Sequence, residues 1–104
     1  MNESTAKVVG EIGAERQRQI DEEGWDSAHD DQHDAGELAA AGAAYAFAAS
    51  KKLEAGIGNH VAFEAAPRFW PWATKWWKPK RTRHDLIRAA ALIVAEIEKL
   101  DRAS

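Results

Sequence analysis

The sequence predicts an all-α fold of three principal helices, with a long tryptophan- and proline-rich segment packed across them. Apolar side chains recur at helical spacing near both ends of the chain, and an alanine-rich run of high helix propensity lies between them. Pro67, Pro71 and Pro79 exclude a long helix just before the last of these segments. At 104 residues the chain has room for one core, so we expect a single helical domain over residues 1–104.

The first helix is predicted to run from about Ser4 or Thr5, either of which can cap it, to about Glu22. Gly24 ends this helix, and residues 26–29 are predicted to form a loop. The residues at helical spacing form a thin stripe: Val8, Val9, Ile12, Gln19 and Ile20. We therefore expect only a weak apolar face on this helix.

The second helix is predicted to begin within residues 30–34 and to end near Lys51 or Lys52. Asp30 or Asp31 can cap its exposed N–H groups, and the lysines complement the helix dipole at the other end. The alanine run and Gly42 make this helix slim, so that a neighbour can approach closely. That neighbour is either another helix of the same chain or a second copy, and we expect a homodimer.

The third helix is predicted to begin at Thr82, after an irregular connection over Gly56–Arg81. Thr82 and Asp85 resemble a capping box, in which each side chain bonds to the backbone N–H of the other residue. Large apolar residues then follow at helical spacing, and Arg88 is assigned to the solvent side. The predicted apolar stripe comprises Leu86, Ala90, Ile93, Ile97 and Leu100.

Composition excludes several classes of protein. The chain is 45% hydrophobic and 30% charged, which is typical of a globular domain rather than a disordered tail. It has no apolar run near the roughly 18 residues of a membrane-spanning helix, and its first residues lack the pattern of a signal peptide. Without cysteine it has no disulfide, thiolate nucleophile or Cys-based zinc site. We expect a cytoplasmic protein that makes no membrane contact.

Charge is strongly segregated along the chain. From Gln19 to Ser50 there are eight acidic residues and no Lys or Arg, whereas Arg68 to Arg88 contains seven basic residues and one acidic residue. Such segregation predicts that the two segments attract each other, or that each faces a partner of opposite charge.

The first candidate site is an acidic cluster with histidine, formed by Asp31, His33, Asp34 and Glu37. Carboxylate oxygens suit Mg²⁺ or Mn²⁺, and imidazole nitrogens add Zn²⁺, Ni²⁺ or Fe²⁺ to the possible divalent ions. Acidic residues also gather at helix N-termini for dipole reasons alone, so capping and surface charge is the competing interpretation.

A related hypothesis pairs this cluster with the end of the last helix. If the second and third helices are antiparallel, Asp31, Asp34 and Glu37 face Glu98 and Asp101. That arrangement resembles the all-α nucleoside triphosphate pyrophosphohydrolases of the MazG type, which hold Mg²⁺ between Glu-Glu-x-x-Glu and Glu-x-x-Asp motifs. The resemblance implies a metal-dependent nucleotide hydrolase. Here the matching positions are Asp30, Asp31 and Asp34, then Glu98 and Asp101. The first motif thus contains aspartate instead of glutamate, and the connection between the helices is long.

The second candidate site is the segment Arg68–Arg83, in which tryptophans alternate with basic residues. Aromatic rings stack on nucleobases and basic side chains neutralise phosphates, which together indicate a nucleotide-like or anionic ligand. Arg83 and His84 add a possible anion site at the start of the third helix. The competing interpretation is that the rings fill the core of a small domain. The candidate ligand-binding residues are Trp25, Trp70, Trp72, Trp76, Trp77, Lys78, Lys80, Arg83 and His84.

Several motifs together resemble an uncharacterised family of small bacteriophage and prophage proteins. They cover about Ala14 to Ala103 and include Glu23-Gly24-Trp25, His29-Asp30-Asp31-Gln32-His33, Gly36-Glu37-Leu38, Trp70-Pro71-Trp72 and Trp76-Trp77-Lys78-Pro79. The resemblance implies a phage setting within the host cell and assigns no activity. The sequence favours a non-catalytic accessory module that binds a nucleotide-like molecule, an anion or a host protein, with the metal-dependent hydrolase as the alternative.

Overall fold

The structure, a computed structural model, describes residues 1–59 and 65–104. In these ranges the chain forms α1 (Glu3–Glu23), α2 (Ser27–Asp30), α3 (Glu37–Glu54), a 3₁₀ turn (Thr74–Trp76) and α4 (Thr82–Ala103). The all-α class with three principal helices is confirmed. α4 is the central element, because it contacts each of the other three α-helices. Part of the predicted irregular connection, residues 60–64, lies outside the described residues.

α1 begins slightly earlier than predicted, and its cap is a different residue. The side chain of Asn2 accepts a hydrogen bond of 2.8 Å from the backbone N–H of Thr5, so Ser4 and Thr5 lie inside the helix. Asn is as good a cap as Ser, so Asn2 can take the N-cap position. The other end is as predicted: Gly24 ends the helix, and the N–H of Trp25 donates to the carbonyl of Gln19.

The prediction for the start of the second helix is wrong. Residues 27–30, predicted as a loop and as its first turn, form the separate short helix α2, which Asp26 caps by accepting from the N–H of His29. α3 starts only at Glu37, after Gly36 in a left-handed conformation with φ of 78°. The carboxylate of Asp30 is not available as a cap, because it is fully buried against Arg16.

The alanine-rich face of α3 packs against α4 within the same chain. Leu38, Ala41 and Ala44 are fully buried there, and a methyl group on Gly42 would lie 2.9 Å from the carbonyl oxygen of Ala89. The slim face is therefore occupied by an intrachain neighbour. It no longer argues for the expected homodimer, which stays a prediction.

The predicted core stripe of α4 is wrong, because most of it faces outward. Leu86, Ile93, Ile97 and Leu100 are 42 to 61% exposed. The buried face carries Asp85, Arg88, Ala89, Leu92, Ala95 and Glu96, among which Leu92 is the one large apolar residue. The slim alanine face of α3 lets the two backbones come close, and Ala89 and Ala95 fit between them. Arg88, assigned to solvent, is only 9% exposed.

The start of α4 is held differently from the predicted capping box. The Thr82 hydroxyl donates to the carbonyl of Gly58 at 2.6 Å, and the N-cap position is Arg81, whose side chain makes no cap bond. Asp85 does reach back to the backbone, where its carboxylate accepts from the N–H of Lys80 at 2.9 Å. One half of the predicted reciprocal pair is therefore present, with a shifted partner.

The tryptophan-rich segment contributes to the core, as expected. Trp70 is 9% exposed and packs in one cluster with Leu38, Tyr45 and Leu92. Trp72 and Trp77 are partly buried against this cluster. None of the helices in the described part of the chain combines the length and apolar composition that crossing a lipid bilayer requires.

Candidate ligand-binding site

A cavity of about 620 Å³ lies between α1, α2 and the tryptophan-rich segment. Its lining combines aromatic and polar side chains from parts of the chain far apart in sequence. The aromatic and histidine residues are Trp25, His29, His33, Tyr45, Trp70, Trp72 and Trp76, and the polar residues are Glu15, Arg18, Gln19, Glu23, Lys78 and Arg88.

The aromatic wall is a continuous series of ring contacts. The Trp25 ring is stacked on His29, and His33 contacts His29 with ring centroids 4.8 Å apart. Trp72 is 5.4 Å from His33 on one side and 5.4 Å from Trp70, edge to face, on the other. The Trp70 indole N–H donates to the carbonyl of Ala73, which fixes that ring. A wall of interlocked rings is a rigid surface on which a flat ligand can stack.

The α1 side of the cavity presents acceptor oxygens. The guanidinium of Arg18 holds both oxygens of Glu15, each at 2.8 Å, and the Gln19 amide nitrogen donates to the same carboxylate at 3.3 Å. Burial alone would raise the pKa of Glu15, but hydrogen bonds and positive charge, chiefly from Arg18, outweigh it and lower that pKa. Glu15 is therefore ionised at neutral pH.

Positively charged side chains also line the cavity. The Arg88 guanidinium lies 4.5 Å from the Tyr45 ring and donates to the carbonyl of Lys78 at 2.8 Å. The Lys78 ammonium is 5.9 Å from the centre of the Trp76 ring, and the Lys75 ammonium is 5.3 Å from the same ring. Trp76 is 55% exposed at the edge of the cavity. Cations and an exposed ring thus lie beside the same opening.

Three buried polar atoms without a hydrogen-bond partner belong to residues that line this cavity. They are Gln19 Oε1, Trp72 Nε1 and Arg88 Nε, and the fourth such atom in the described residues is His84 Nε2. Each buried unpaired polar atom costs about 1–3 kcal/mol. All four atoms have almost no solvent-accessible surface, so they are enclosed by the surrounding packing.

The structure brings five of the nine predicted ligand-binding residues to this cavity: Trp25, Trp70, Trp72, Trp76 and Lys78. Trp77 instead packs beside the core, stacked on Tyr45 with ring centroids 4.7 Å apart. The backbone of Lys80 contacts Asp85. Arg83 and His84 line a second, more open cavity of about 480 Å³, where Arg83 pairs with Glu11 at 2.7 Å.

Several lining residues were not predicted from the sequence, among them Gln19, Arg18, Tyr45 and Arg88. The one available signal was Gln19, a polar residue within the apolar stripe of α1. Its position predicted burial but gave no indication of a neighbouring cavity.

The predicted metal residues are distributed among different partners. Asp31 pairs with Arg102 at 2.8 Å, His33 lies 3.5 Å from Glu37, and Asp34 is exposed. Within residues 1–59 and 65–104, no three histidine or acidic side chains are grouped as metal ligands. The divalent-metal assignment to these residues stays a prediction.

An arginine stands between the carboxylates that the hydrolase hypothesis pairs. Arg16 bonds to Asp30 and to Glu98, at 2.8 Å in each case, and also donates to the carbonyl of Trp25. Asp30 and Glu98 do approach each other, as that hypothesis expected. In the described structure both share the single positive charge of Arg16.

His84 is expected to titrate below the ordinary histidine range. Burial is the main cause of its lowered pKa, and the positive charges of Arg88 and Lys80 add to it. The unfolded chain then binds the proton more readily than the folded protein. The contribution of His84 to the free energy of unfolding is therefore fully present above about pH 6.5 and falls as the pH drops below that value. NMR titration of the ring measures the pKa, with His84→Asn identifying the resonance. A pKa of 6.5 or more would contradict this prediction.

Comparisons of the chain with protein-family models, with curated proteins and with solved structures find no match. What the chain binds is therefore inferred from the side chains around the cavity.

Proposed function

We propose that the protein is a non-catalytic binding module for a nucleotide-like ligand, a flat heterocycle that carries an anionic group. The observation that carries the proposal is one cavity whose lining combines an aromatic wall with the cationic side chains of Arg88 and Lys78. Its volume of about 620 Å³ suits a ligand of nucleotide size. The resemblance to phage and prophage proteins adds an accessory role in an infected cell to the proposal.

The aromatic wall supports stacking of the heterocycle. Trp25, Trp72 and Trp76 all line the cavity, and Trp76 is the most exposed of them. A base stacked on an aromatic side chain gains about 1–3 kcal/mol, largely independent of its identity. Trp70 and Tyr45 also line the cavity, and Trp70 contacts both Tyr45 and Trp72 edge to face.

The cationic side supports binding of the anionic group. Arg88 lines the cavity and has one guanidinium nitrogen engaged with the Lys78 carbonyl, and a guanidinium pairs well with phosphate. The exposed Lys78 ammonium lies at the same edge of the cavity and adds charge. A nucleotide bound with its base on the indoles and its phosphate near Arg88 uses both features.

The acidic residues of the cavity favour binding over turnover. Glu15 and Glu23 both pair with Arg18, which also pairs with Glu22, so these carboxylates are engaged within the protein. The fully buried Asp30 is likewise held by Arg16. A general base or a metal ligand needs a carboxylate that faces the reacting group, and these carboxylates face arginine.

Replacing Trp76 by alanine is expected to weaken nucleotide binding about tenfold while leaving the unfolding midpoint nearly unchanged. Trp76 is exposed and lies outside the core cluster, so its loss removes a stacking surface rather than packing. Isothermal titration calorimetry with adenosine, guanosine and cytidine monophosphates measures the affinity.

The matched control is Phe69→Ala. Phe69 is 47% exposed in the same segment and packs on Phe47, away from the cavity. Affinity should be the same in this variant as in the parent. Absence of binding for every nucleotide tested, or equal losses in both variants, would overturn the proposed function.

A further inference from the structure

The apolar residues of α4 that do not face the core form one line along the helix. We call this line the α4 seam; it consists of the half-buried Ala90 and of Leu86, Ile93, Ile97 and Leu100, which are 42 to 61% exposed. These residues follow one another at alternating intervals of four and three, which is the heptad spacing of a helix that packs along another helix. In the described part of the chain, the contacts of α4 with the other helices leave the seam open to solvent.

The α4 seam is large enough to form an interface. It extends about 21 Å along the helix axis. Its four large side chains expose apolar surface on the order of 400 Å², and patches of this size on a monomer are often contact surfaces. Two such seams, together with the partly exposed Ile87 and Val94 beside them, approach the roughly 1,200 Å² at the lower end of specific interfaces. A second copy of the chain therefore supplies enough area for a concentration-dependent dimer.

The α4 seam is also complementary to itself. Leu86, Ile93 and Leu100 are seven residues apart, so the seam has an isoleucine at its centre and a leucine at each end. A two-fold axis beside Ile93 places Leu86 of each copy next to Leu100 of the other. A closed dimer needs such a surface, because both copies contribute the same patch to the interface.

The charges along α4 favour an antiparallel arrangement of the two helices. Exposed Arg81 and Arg83 lie at the start of α4, and exposed Glu98 and Asp101 lie near its end. Antiparallel copies bring the basic start of one helix to the acidic end of the other, whereas parallel copies place like charges side by side. The helix dipoles add to the same preference, since the start of a helix is positive and its end is negative.

Most charges at both ends of the seam are also paired within the chain. These pairs are Arg83 with Glu11, Glu98 with Arg16, Lys99 with Glu96 and Arg102 with Asp31. The guanidinium of Arg81 bonds to the neutral carbonyl of Asn59. Among the described residues, neither Arg81 nor Asp101 has an oppositely charged partner, so these two charges of opposite sign are the ones that a second copy can compensate.

We propose that the α4 seam is a homodimer interface, in which the α4 helices of two copies pack antiparallel. The interface differs from the alanine-rich face of α3, which is occupied within the chain. The proposal is independent of the proposed function, because no residue of the seam lines the cavity of about 620 Å³. Dimerisation and nucleotide binding can therefore succeed or fail separately.

Sedimentation equilibrium from low micromolar to submillimolar concentrations measures the association. We expect a reversible transition from a monomer of 11.5 kDa to a species of twice that mass. Ile97→Glu should weaken the association at least about a hundredfold, because each copy loses an isoleucine from the contact and brings a charge into it. Leu100→Glu makes the same test at the most exposed residue of the seam, so a folding defect in one variant does not leave the result open.

The matched control is Phe47→Glu, which also places a charge on a half-exposed apolar position of a helix. Phe47 is 48% exposed on α3 and packs on Phe69, so the dimer should be as stable as in the parent protein. A parent protein that stays monomeric at every concentration would overturn the proposal and leave the seam to a different partner. Equal weakening by Phe47→Glu and Ile97→Glu would overturn the assignment of the interface to α4.

Disulfide cross-linking tests the antiparallel direction. The chain has no cysteine, so a single introduced thiol pairs only with the same thiol of another copy. With oxidised glutathione, a mixture of Leu86→Cys and Leu100→Cys should form the mixed dimer, and Ile93→Cys should cross-link to itself. Leu86→Cys alone and Leu100→Cys alone should remain largely uncross-linked. Efficient self-cross-linking of both end variants would indicate parallel helices and overturn the proposed arrangement.

Discussion

Replacing Asp85 by alanine is expected to destabilise the protein by about 3–5 kcal/mol, a large part of the stability of a domain of this size. Asp85 and Lys52 form a fully buried ion pair, with Oδ2 and Nζ 3.3 Å apart. The variant leaves the Lys52 ammonium buried without its counter-charge. It also removes the acceptor for the backbone N–H of Lys80.

The pair joins three parts of the fold. Lys52 is near the end of α3, Asp85 is in the first turn of α4, and both bond to the backbone of Lys80 in the segment that leads into α4. Removing one partner therefore affects the α3–α4 contact and the entry into α4 together. The single variant Asp85→Leu leaves the same buried charge on Lys52. Adding Lys52→Met to Asp85→Leu should therefore restore part of the lost stability, since an apolar pair leaves no buried charge.

Urea unfolding followed by circular dichroism measures these differences. The matched control is Lys51→Met, which breaks the exposed ion pair of Lys51 with Glu54 at 3.6 Å. That change should cost less than about 1 kcal/mol. If Asp85→Ala and Lys51→Met lose similar stability, the buried pair does not have the role assigned to it here.

The three long helices were predictable because their signals are local. Gly24 marks the end of α1 and the alanine run forms α3, and neither depends on the rest of the chain. The error at the start of α3 has a tertiary cause. Asp30 is a suitable cap by residue type, yet Arg16, fourteen positions earlier, takes its carboxylate.

The buried face of α4 was not predictable from hydrophobicity alone. The rule that large apolar residues face the core selected Ile93 and Ile97, which are 43% and 52% exposed. The buried residues at the contact are Ala89 and Leu92, and α3 comes so close that a methyl group on Gly42 would meet the carbonyl oxygen of Ala89. Which face is buried depends on the size of the residues on the partner helix, and a single helix does not contain that information.

The candidate site was predictable on one side only. The indoles and Lys78 are close in sequence, so their combination is visible as a motif. Gln19 and Arg88 are on α1 and α4, and only the fold places them beside the same cavity. Their unpaired atoms are a property of the packed structure, which explains why residue spacing did not identify them.

The closeness of α3 and α4 leads to the second large expected effect, a loss of about 1–3 kcal/mol in Gly42→Ala. The added methyl group would lie 2.9 Å from the Ala89 carbonyl oxygen and 3.1 Å from Ile93 Cγ1. A backbone atom of a packed helix cannot move aside as a flexible side chain does, so the helices must separate. This cost outweighs the gain in helix propensity of about 1 kcal/mol that alanine normally brings.

Gly10→Ala makes the same chemical change inside α1, where an added methyl group meets nothing within 4 Å. It should raise stability by up to about 1 kcal/mol, because only the propensity gain remains. The two variants are compared by urea unfolding under identical conditions. The two stability changes have opposite signs only if the distance between α3 and α4 is set by the absence of a side chain at Gly42. Stabilisation in both variants would mean that α3 and α4 can separate at little cost, which would contradict the requirement for glycine at position 42.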